Sequence, residues 1–374
     1  MKKILLVGNT AWSMYNFRAG LVRALQQDGF EVHVAAPADP FQEDLTRIGC
    51  IFHQLYIDNA GTSLKNDLKT IRALLHLLKS LQPAAVVNYT IKPVIYGALA
   101  ARKTNTPFFS VITGLGSPFT SRRLTTHIIE FLCRITQPHA VAVFFLNLDD
   151  LHELVERKVI PKNRARLLPS EGVDLSRFTI KPVQPGAKLN FLYAGRLLWE
   201  KGVGTFVEAA RIVRAQNPLP VFQLLGPCGA LNSSAITADQ VQAWQREGII
   251  EYLGNTKDVR PFIEASAAVV LPSFYREGVP RILLEAAAMG RPVLTTNMPG
   301  CRDVVDDGVT GLLCRPKSAE DLADKILRIA AMTDEERQTM GQRGRAKAEA
   351  EFDERHVVSI YGEAIRKATA SSPS

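Results

Sequence analysis

Short apolar runs rich in Val, Ile and Phe alternate along the chain with longer stretches in which apolar residues recur at helical spacing. In the first half KKILLVG, FEVHVAAP, AAVVNYT, FFSVITG and VAVFFLN read as strands; in the second KLNFLYAG, VFQLLGP, IIEYLG, AAVVLPS and PVLTTN do. Strands alternating with helices imply crossover connections and therefore parallel sheets. Two such sheets follow one another. Between them RFTIKPVQPGAKLN, residues 177–190, has two prolines, a glycine and no helical period, which suits a linker. The pattern predicts an α/β protein with an N-terminal domain over 1–180 and a C-terminal domain over 181–354, facing each other across a cleft. Open parallel sheets present ligand sites at the carboxyl ends of their strands. Residues 355–374 are expected to form a helix that packs back towards the N-terminal domain, with TASSPS as a disordered tail.

Two helices in the first half depart from the ordinary. LKNDLKTIRALLHLLKSL, 64–81, sets Leu64, Leu68, Ile71, Leu75 and Leu78 on one face. Lys65, Lys69, Arg72, His76 and Lys79 repeat the same spacing one step round. The stripe suits either a core helix whose solvent face is basic or a helix resting on anionic lipid headgroups. SRRLTTHIIEFLCRI, 121–135, is a second amphipathic stretch, with Leu124, Ile128, Phe131, Leu132 and Ile135 in register and Arg122 and Arg123 at its start. The pair favours the lipid reading.

Composition narrows the class. The 374 residues are 46% hydrophobic and 22% charged, as in soluble globular proteins, and long enough for two cores. The longest apolar run, AVAVFFL, is far short of the ~20 residues of a membrane helix. MKKILLVG has lysines before an apolar run but no cleavage site, so it reads as a buried strand rather than a signal peptide. A cytoplasmic protein is expected. Cys50, Cys133, Cys228, Cys301 and Cys314 show no metal or redox spacing and read as reduced thiols. Of the net charge of +8, residues 1–180 carry +7 and residues 181–374 only +1. Residues 60–134 hold ten Lys and Arg against Asp67 and Glu130 alone, a field that attracts an anionic surface. No nucleic-acid partner is expected.

The candidate chemistry lies in the second half. After LNFLYAG comes GRLLWEKGVGTF, where Arg196 and Lys201 sit on a glycine-bounded loop that opens a helix. Such a loop suits a diphosphate, although a solvated basic loop has the same sequence. In SFYREGVPRILLEAAAMG, Glu277 precedes Pro280 and belongs to a loop, while Glu285 belongs to a helix apolar on every other side. Carboxylates there suit hydroxyl groups, with Gly278, Val279, Pro280, Arg281 and Ile282 supplying backbone N–H groups at the helix start where they have one. The plainer alternative is a helix-terminal charge and a paired core acid. Cations for phosphates and carboxylates for hydroxyls together fit a nucleoside diphosphate sugar. Asp149–Asp150 and Asp306–Asp307 sit beside helix starts or turns, and no metal or other cofactor is expected.

The E-x7-E spacing, the GR and EKG loop, PSEGVDLSRF (169–178) and PGCRDVVDDGVTGLL (299–313) together resemble glycosyltransferase family 4, the retaining enzymes of GT-B architecture with two Rossmann-like domains. SMYNFRAGLVRAL and ITGLGSPF further resemble the bacterial enzymes that extend undecaprenyl-diphosphate-linked sugars. The resemblance implies transfer of an N-acetylhexosamine or hexose from a UDP-sugar to a polyprenyl-diphosphate-linked sugar, at the inner face of the plasma membrane. It implies that Glu277 contacts donor-sugar hydroxyls, Glu285 the ribose, and Arg196 and Lys201 the diphosphate. It places Gly8 by the donor phosphates and Asn16, Arg18, Thr113 and Gly114 on the acceptor side, where Arg18 otherwise reads as a solvent-facing helix-start arginine. Thr113 stands where many members carry histidine, so their acid/base arrangement does not carry over. Arg281 reads as a selector near the donor sugar or as an exposed helix-start residue. Lys65, Lys69, Arg72, Lys79, Arg122 and Arg123 are expected to face the membrane. A non-hydrolysing nucleotide-sugar epimerase and a non-enzymatic nucleotide-sugar-binding scaffold are the rival readings; GLGSPF lacks the third glycine of a dinucleotide fingerprint.

Overall fold

Residues 1–58, 63–116, 119, 124–181, 188–229 and 234–370 are described by the computed structural model. Contacts divide the chain into two compact units, Met1–Gly172 with Glu354–Ser374, and Val173–Asp353. The chain leaves the first unit at Gly172, eight residues before the boundary expected from the linker composition; residues 182–187 of that linker lie outside the described residues.

In the first unit, continuous Val, Ile, Leu and Phe runs leave no polar face, so their strands belong in the middle of a sheet covered on both sides. The unit runs β1 (Lys3–Val7), α1 (Ala11–Gln27), β2 (Glu31–Ala36), α2 (Gln42–Arg47), β3 (Ile51–Gln54), α3 (Leu64–Leu81), β4 (Ala85–Tyr89), α4 (Ile91–Thr104), β5 (Phe108–Ile112), α5 (Leu124–Thr136), β6 (Ala142–Phe145), α6 (Leu148–Glu156) and β7 (Ala165–Leu167). Its seven strands are all parallel, in the order β3-β2-β1-β4-β5-β6-β7. The direction of travel reverses at β1, so right-handed crossovers put α1 and α2 on one face and α3 to α6 on the other. On that second face the apolar α4 packs between α3 and α5. Asp149 and Asp150 lie in the first turn of α6, where carboxylates complement the helix dipole.

The second unit runs β8 (Asn190–Ala194), α7 (Val203–Gln216), β9 (Val221–Leu225), α8 (Ala238–Arg246), β10 (Glu251–Tyr252), α9 (Arg260–Glu264), β11 (Ala268–Leu271), α10 (Arg281–Ala288), β12 (Val293–Thr296), β13 (Gly311–Cys314), α11 (Ala319–Ala331) and α12 (Asp334–Glu351). Its six parallel strands are ordered β10-β9-β8-β11-β12-β13. Asp306 and Asp307 serve the turn into β13, where Lys347 pairs with Asp306 at 2.9 Å and Leu313 N donates to Asp307 Oδ1. Both units are therefore parallel, Rossmann-like sheets. None of the five cysteines is in a disulfide; burial pushes the thiols of Cys50, Cys133, Cys301 and Cys314 up to about 12.

The last helix, α13 (Glu354–Ala370), returns to the first unit and packs on α1. Its Tyr361 is buried against Phe144 and near Tyr89. Arg18 completes this cluster. The guanidinium is buried, pairs with Glu171 at 2.6 Å and lies 4.2 Å from the Tyr89 ring centre. Arg18 was expected at an acceptor phosphate or facing solvent; it does not face solvent, because α1 turns this position towards α13 and the end of the 169–172 loop, where it pairs inside the first unit. Removing one partner of a buried pair strands the other charge. Arg18→Ala should destabilise the first unit by about 3 kcal/mol, measured as a shift in urea midpoint, and R18M/E171L should recover much of that loss.

Candidate active site

In the second unit the expected site residues gather at the carboxyl ends of β8 and β11. Arg196 follows β8 and is exposed. Lys201 ends the single 3-10 turn Trp199–Lys201 that leads into α7. Glu277 lies in the loop after β11. Lys201 Nζ and Glu277 Oε1 are 2.8 Å apart, with only 14% and 11% of the side chains exposed. A charge pair this sheltered is screened far less than a surface pair.

Two close backbone approaches make that meeting possible. Gly202 has φ +79°, and a Cβ there would lie 2.0 Å from the Pro272 carbonyl oxygen. Gly300 has φ +78°, and its Cβ would lie 1.9 Å from the Gly278 carbonyl oxygen. Only glycine tolerates both the left-handed backbone and the lack of space. The EKG loop and the PGC loop thus close on the segment carrying Glu277 from two sides. Phe274 N donates to the Glu200 carbonyl at 2.9 Å, fastening the same segment to the turn that carries Lys201.

Ser273 sharpens the arrangement. Fully buried two residues past β11, it donates from Oγ to Glu277 Oε1 at 3.2 Å and accepts from Tyr275 N at 3.2 Å. Thr296 of β12 in turn donates to the Ser273 carbonyl. Sequence reasoning passed over Ser273 as the last residue of a strand; its place at a strand's carboxyl end, four residues before a loop acid, was the available signal. Tyr193 was passed over too. Its buried hydroxyl donates to the Arg196 carbonyl at 3.0 Å, and burial first, then the Glu277 charge, pushes the phenol well up, with Arg196 opposing.

Glu285 sits on α10, whose Leu283, Leu284, Ala286, Ala287 and Ala288 are buried. Arg281 Nε donates to Glu285 Oε1 at 3.2 Å, one helical turn away, with both side chains 14% exposed. Arg281 is therefore not free in solvent: it is an ion-pair partner of Glu285. Val279 and Pro280 are buried, Gly278 is buried under the PGC loop, and Ile282 is half-buried beside Arg281. Burial raises the Glu285 carboxyl above its ordinary value, with Arg281 opposing.

The remaining expected residues belong to the first unit. Gly8 follows β1, where a Cβ would lie 2.3 Å from the sulfur of the Met14 side chain. Asn16 is half-buried on α1 and donates from Nδ2 to the Trp12 carbonyl. Thr113 and Gly114 follow β5, half-buried, with Gly114 at φ +112°. Lys65, Lys69, Arg72 and Lys79 are exposed on α3. Arg122 and Arg123 lie outside the described residues.

A protein of two parallel, Rossmann-like α/β units, with clustered acids and cations at the strand ends of the second, has the architecture of the GT-B glycosyltransferases. The model of the family "Glycosyl transferase 4-like" matches residues 3–147, and that of "Glycosyl transferases group 1" matches residues 188–332. The chain belongs to these GT-B glycosyltransferases. It is 26% identical over 366 residues to the N,N'-diacetylbacillosaminyl-diphospho-undecaprenol alpha-1,3-N-acetylgalactosaminyltransferase of Campylobacter jejuni, covering 93% of this chain and 94% of that one. It is 25% identical to the UDP-Gal:alpha-D-GlcNAc-diphosphoundecaprenol alpha-1,3-galactosyltransferase of Escherichia coli, over 71% of each. Among solved structures, Anabaena HepE in complex with UDP-glucose superposes with TM-score 0.78 at 17% identity over 100% of both chains. Sucrose-phosphate synthase of Thermosynechococcus elongatus does so at 0.81 and 20%, again over 100% of both.

The Glu285 environment carries a test of its own. A carboxyl whose folded pKa is raised costs the fold stability once pH exceeds its unfolded value, and the cost is complete above the folded pKa. Glu285→Gln should raise the melting temperature of the free protein at neutral pH, a gain that shrinks as pH falls through the raised pKa towards acid, measured by thermal scans across pH.

Proposed function

We propose that this chain transfers an N-acetylhexosamine or hexose from a UDP-sugar to a sugar on a polyprenyl diphosphate, with retention of anomeric configuration, in bacterial surface-glycan or glycoprotein-glycan assembly. The observation that carries the reading is the sheltered Lys201–Glu277 pair beside Arg196, with the Arg281–Glu285 pair on the neighbouring helix. Two family matches to glycosyltransferases and two relatives named for undecaprenyl-diphosphate-linked acceptors support it; the epimerase and scaffold readings have no comparable support.

In this reading the donor exchanges partners with the free site. The diphosphate takes Lys201 and Arg196 together with the N-terminus of α7, and sugar hydroxyls take the Glu277 carboxylate that Ser273 orients. Ribose hydroxyls take Glu285, which Arg281 holds in place. The bond from the anomeric carbon to the diphosphate oxygen breaks with its electron pair passing to that oxygen. The acceptor hydroxyl forms the new bond to the anomeric carbon on the same face, and its proton passes to an oxygen of the leaving diphosphate. Charge grows on the diphosphate as this bond breaks, where fixed cations stabilise the transition state more than the ground state. Protein cations fill this role, with no metal required. Asn16, Thr113 and Gly114 serve the acceptor, and the protein works at the cytoplasmic face of the membrane.

Lys201→Ala and Glu277→Ala should each lower transfer by roughly 100-fold or more while leaving the fold intact by circular dichroism. An assay that follows transfer of a UDP-sugar to a polyprenyl-diphosphate sugar measures this. The same assay with a chelator present should show full turnover.

A further inference from the structure

In each unit the strand order reverses once, and loops that leave neighbouring strands for opposite faces of a sheet part to leave a crevice at the carboxyl ends. In the second unit the reversal lies between β8 and β11, and that crevice takes Lys201 from one lip and Glu277 from the other. In the first unit it lies between β1 and β4. One lip is residues 8–10, which lead to α1; the other is Thr90, which leads to α4 on the opposite face.

The β4 lip is unusual. Thr90 alone joins the last residue of β4 to the first of α4, and turning in one step holds it at φ +69° and ψ 161°. That backbone is ordinary for glycine and costly for a β-branched residue. What threonine adds there is a hydroxyl, and this one makes no capping bond to α4. The tight turn also sets Lys92, in the first turn of α4, directly at the edge of the sheet.

Lys92 repeats the device of the second unit. Its Nζ lies 2.9 Å from Asp67 Oδ1 in the first turn of α3, with 22% and 17% of the two side chains exposed. Asp67 has a second partner. Tyr96, buried one turn further along α4, donates its hydroxyl to Asp67, and burial first and then that bond push the phenol up. Lys92 can therefore leave the pair without stranding the carboxylate. On its other side Thr90 borders β5: Tyr89 is in register with Val111, and Thr90 N donates to the Val111 carbonyl at 3.3 Å, two residues before Thr113. The half-sheltered cation, the threonine hydroxyl and the Thr113–Gly114 turn share one stretch of edge.

We propose that Lys92 and Thr90 receive the diphosphate of the lipid-linked acceptor, Lys92 Nζ exchanging Asp67 for one phosphate oxygen and the Thr90 hydroxyl donating to another. The identity of the ligand rests on the transfer reading; the site adds a hold on the one part of the acceptor that does not vary with its sugars. A lysine ammonium is a compact charge suited to phosphate oxygens, whereas a neutral sugar offers it no counterion. In that reading the donor diphosphate already has Arg196 and Lys201. A strut between α3 and α4 would be weakened alike by loss of either partner, whereas a stored cation is lost with Lys92 and released by loss of Asp67.

The test uses the full chain, first saturated with UDP to fill the site of the second unit, then titrated with geranyl diphosphate by calorimetry in the absence of lipid and detergent. Wild type should bind it, and K92Q should bind about tenfold more weakly or worse. T90G, which keeps the turn and removes the hydroxyl, should also bind more weakly. D67N should bind at least as tightly as wild type. K92Q and D67N should keep wild-type affinity for UDP and melt within about 3 °C of wild type. In transfer, K92Q should raise KM for the polyprenyl-diphosphate sugar and leave KM for the UDP-sugar unchanged. Equal affinity of K92Q and wild type for geranyl diphosphate, or parallel losses in K92Q and D67N, would overturn the assignment. So would a loss of UDP affinity in K92Q with geranyl diphosphate binding intact, which would make the nucleotide the occupant. Failure of wild type to bind UDP would instead count against the transfer reading, and the comparison of K92Q with D67N would still decide the site.

Discussion

Lys201 and Glu277 are 76 positions apart in sequence and meet at 2.8 Å in a pocket that hides most of both side chains. Opposite charges so placed attract strongly, but each has given up water to be there, and the balance is favourable only when the geometry is held. The second unit supplies that geometry. Gly202 lets the turn bearing the lysine press on Pro272, Gly300 lets another loop press on Gly278, and Ser273 fixes the carboxylate from below. The parallel sheet brings the three loops together because its strands all end on one edge.

On the proposed function, this pair is more than a strut. A site with two acids and three cations, most of them mutually paired, is nearly neutral when empty, so its charges are stored rather than left in solvent. A ligand bearing a diphosphate and hydroxyls replaces each partner with a better-matched one. The raised carboxyl of Glu285 belongs to the same economy: stability is surrendered at a buried acid whose use is to receive hydroxyl groups.

Much of this was legible in the order of residues. The strands in the middle of each sheet announced themselves as continuous apolar runs, and β1, β2, β4, β5, β6, β8, β9, β11 and β12, together with the short edge strand β10, fall inside the stretches read as strands. The strands β3, β7 and β13 did not: IFHQ and ARL are short edge strands with polar, partly exposed positions, and GLLC was submerged in a motif valued for its turn. Glu277, Glu285, Arg196 and Lys201 were legible because their chemistry is unusual for their surroundings. The solvent-facing alternatives for Arg18 and Arg281 failed because a partner far away or one turn along decides whether an arginine faces solvent. Ser273 and Tyr193 were invisible because a hydroxyl's role depends on which atom it meets.

The account's central claim is that two acids and two cations of the second unit converge on one nucleotide-sugar site. A crystal structure of the chain soaked with a UDP-sugar tests it most directly. The diphosphate should lie within hydrogen-bond reach of Arg196 and Lys201, the ribose hydroxyls on Glu285 and the sugar hydroxyls on Glu277, with Lys201 parted from Glu277. A UDP-sugar bound elsewhere, or bound through a divalent ion with the Lys201–Glu277 pair intact, would contradict it.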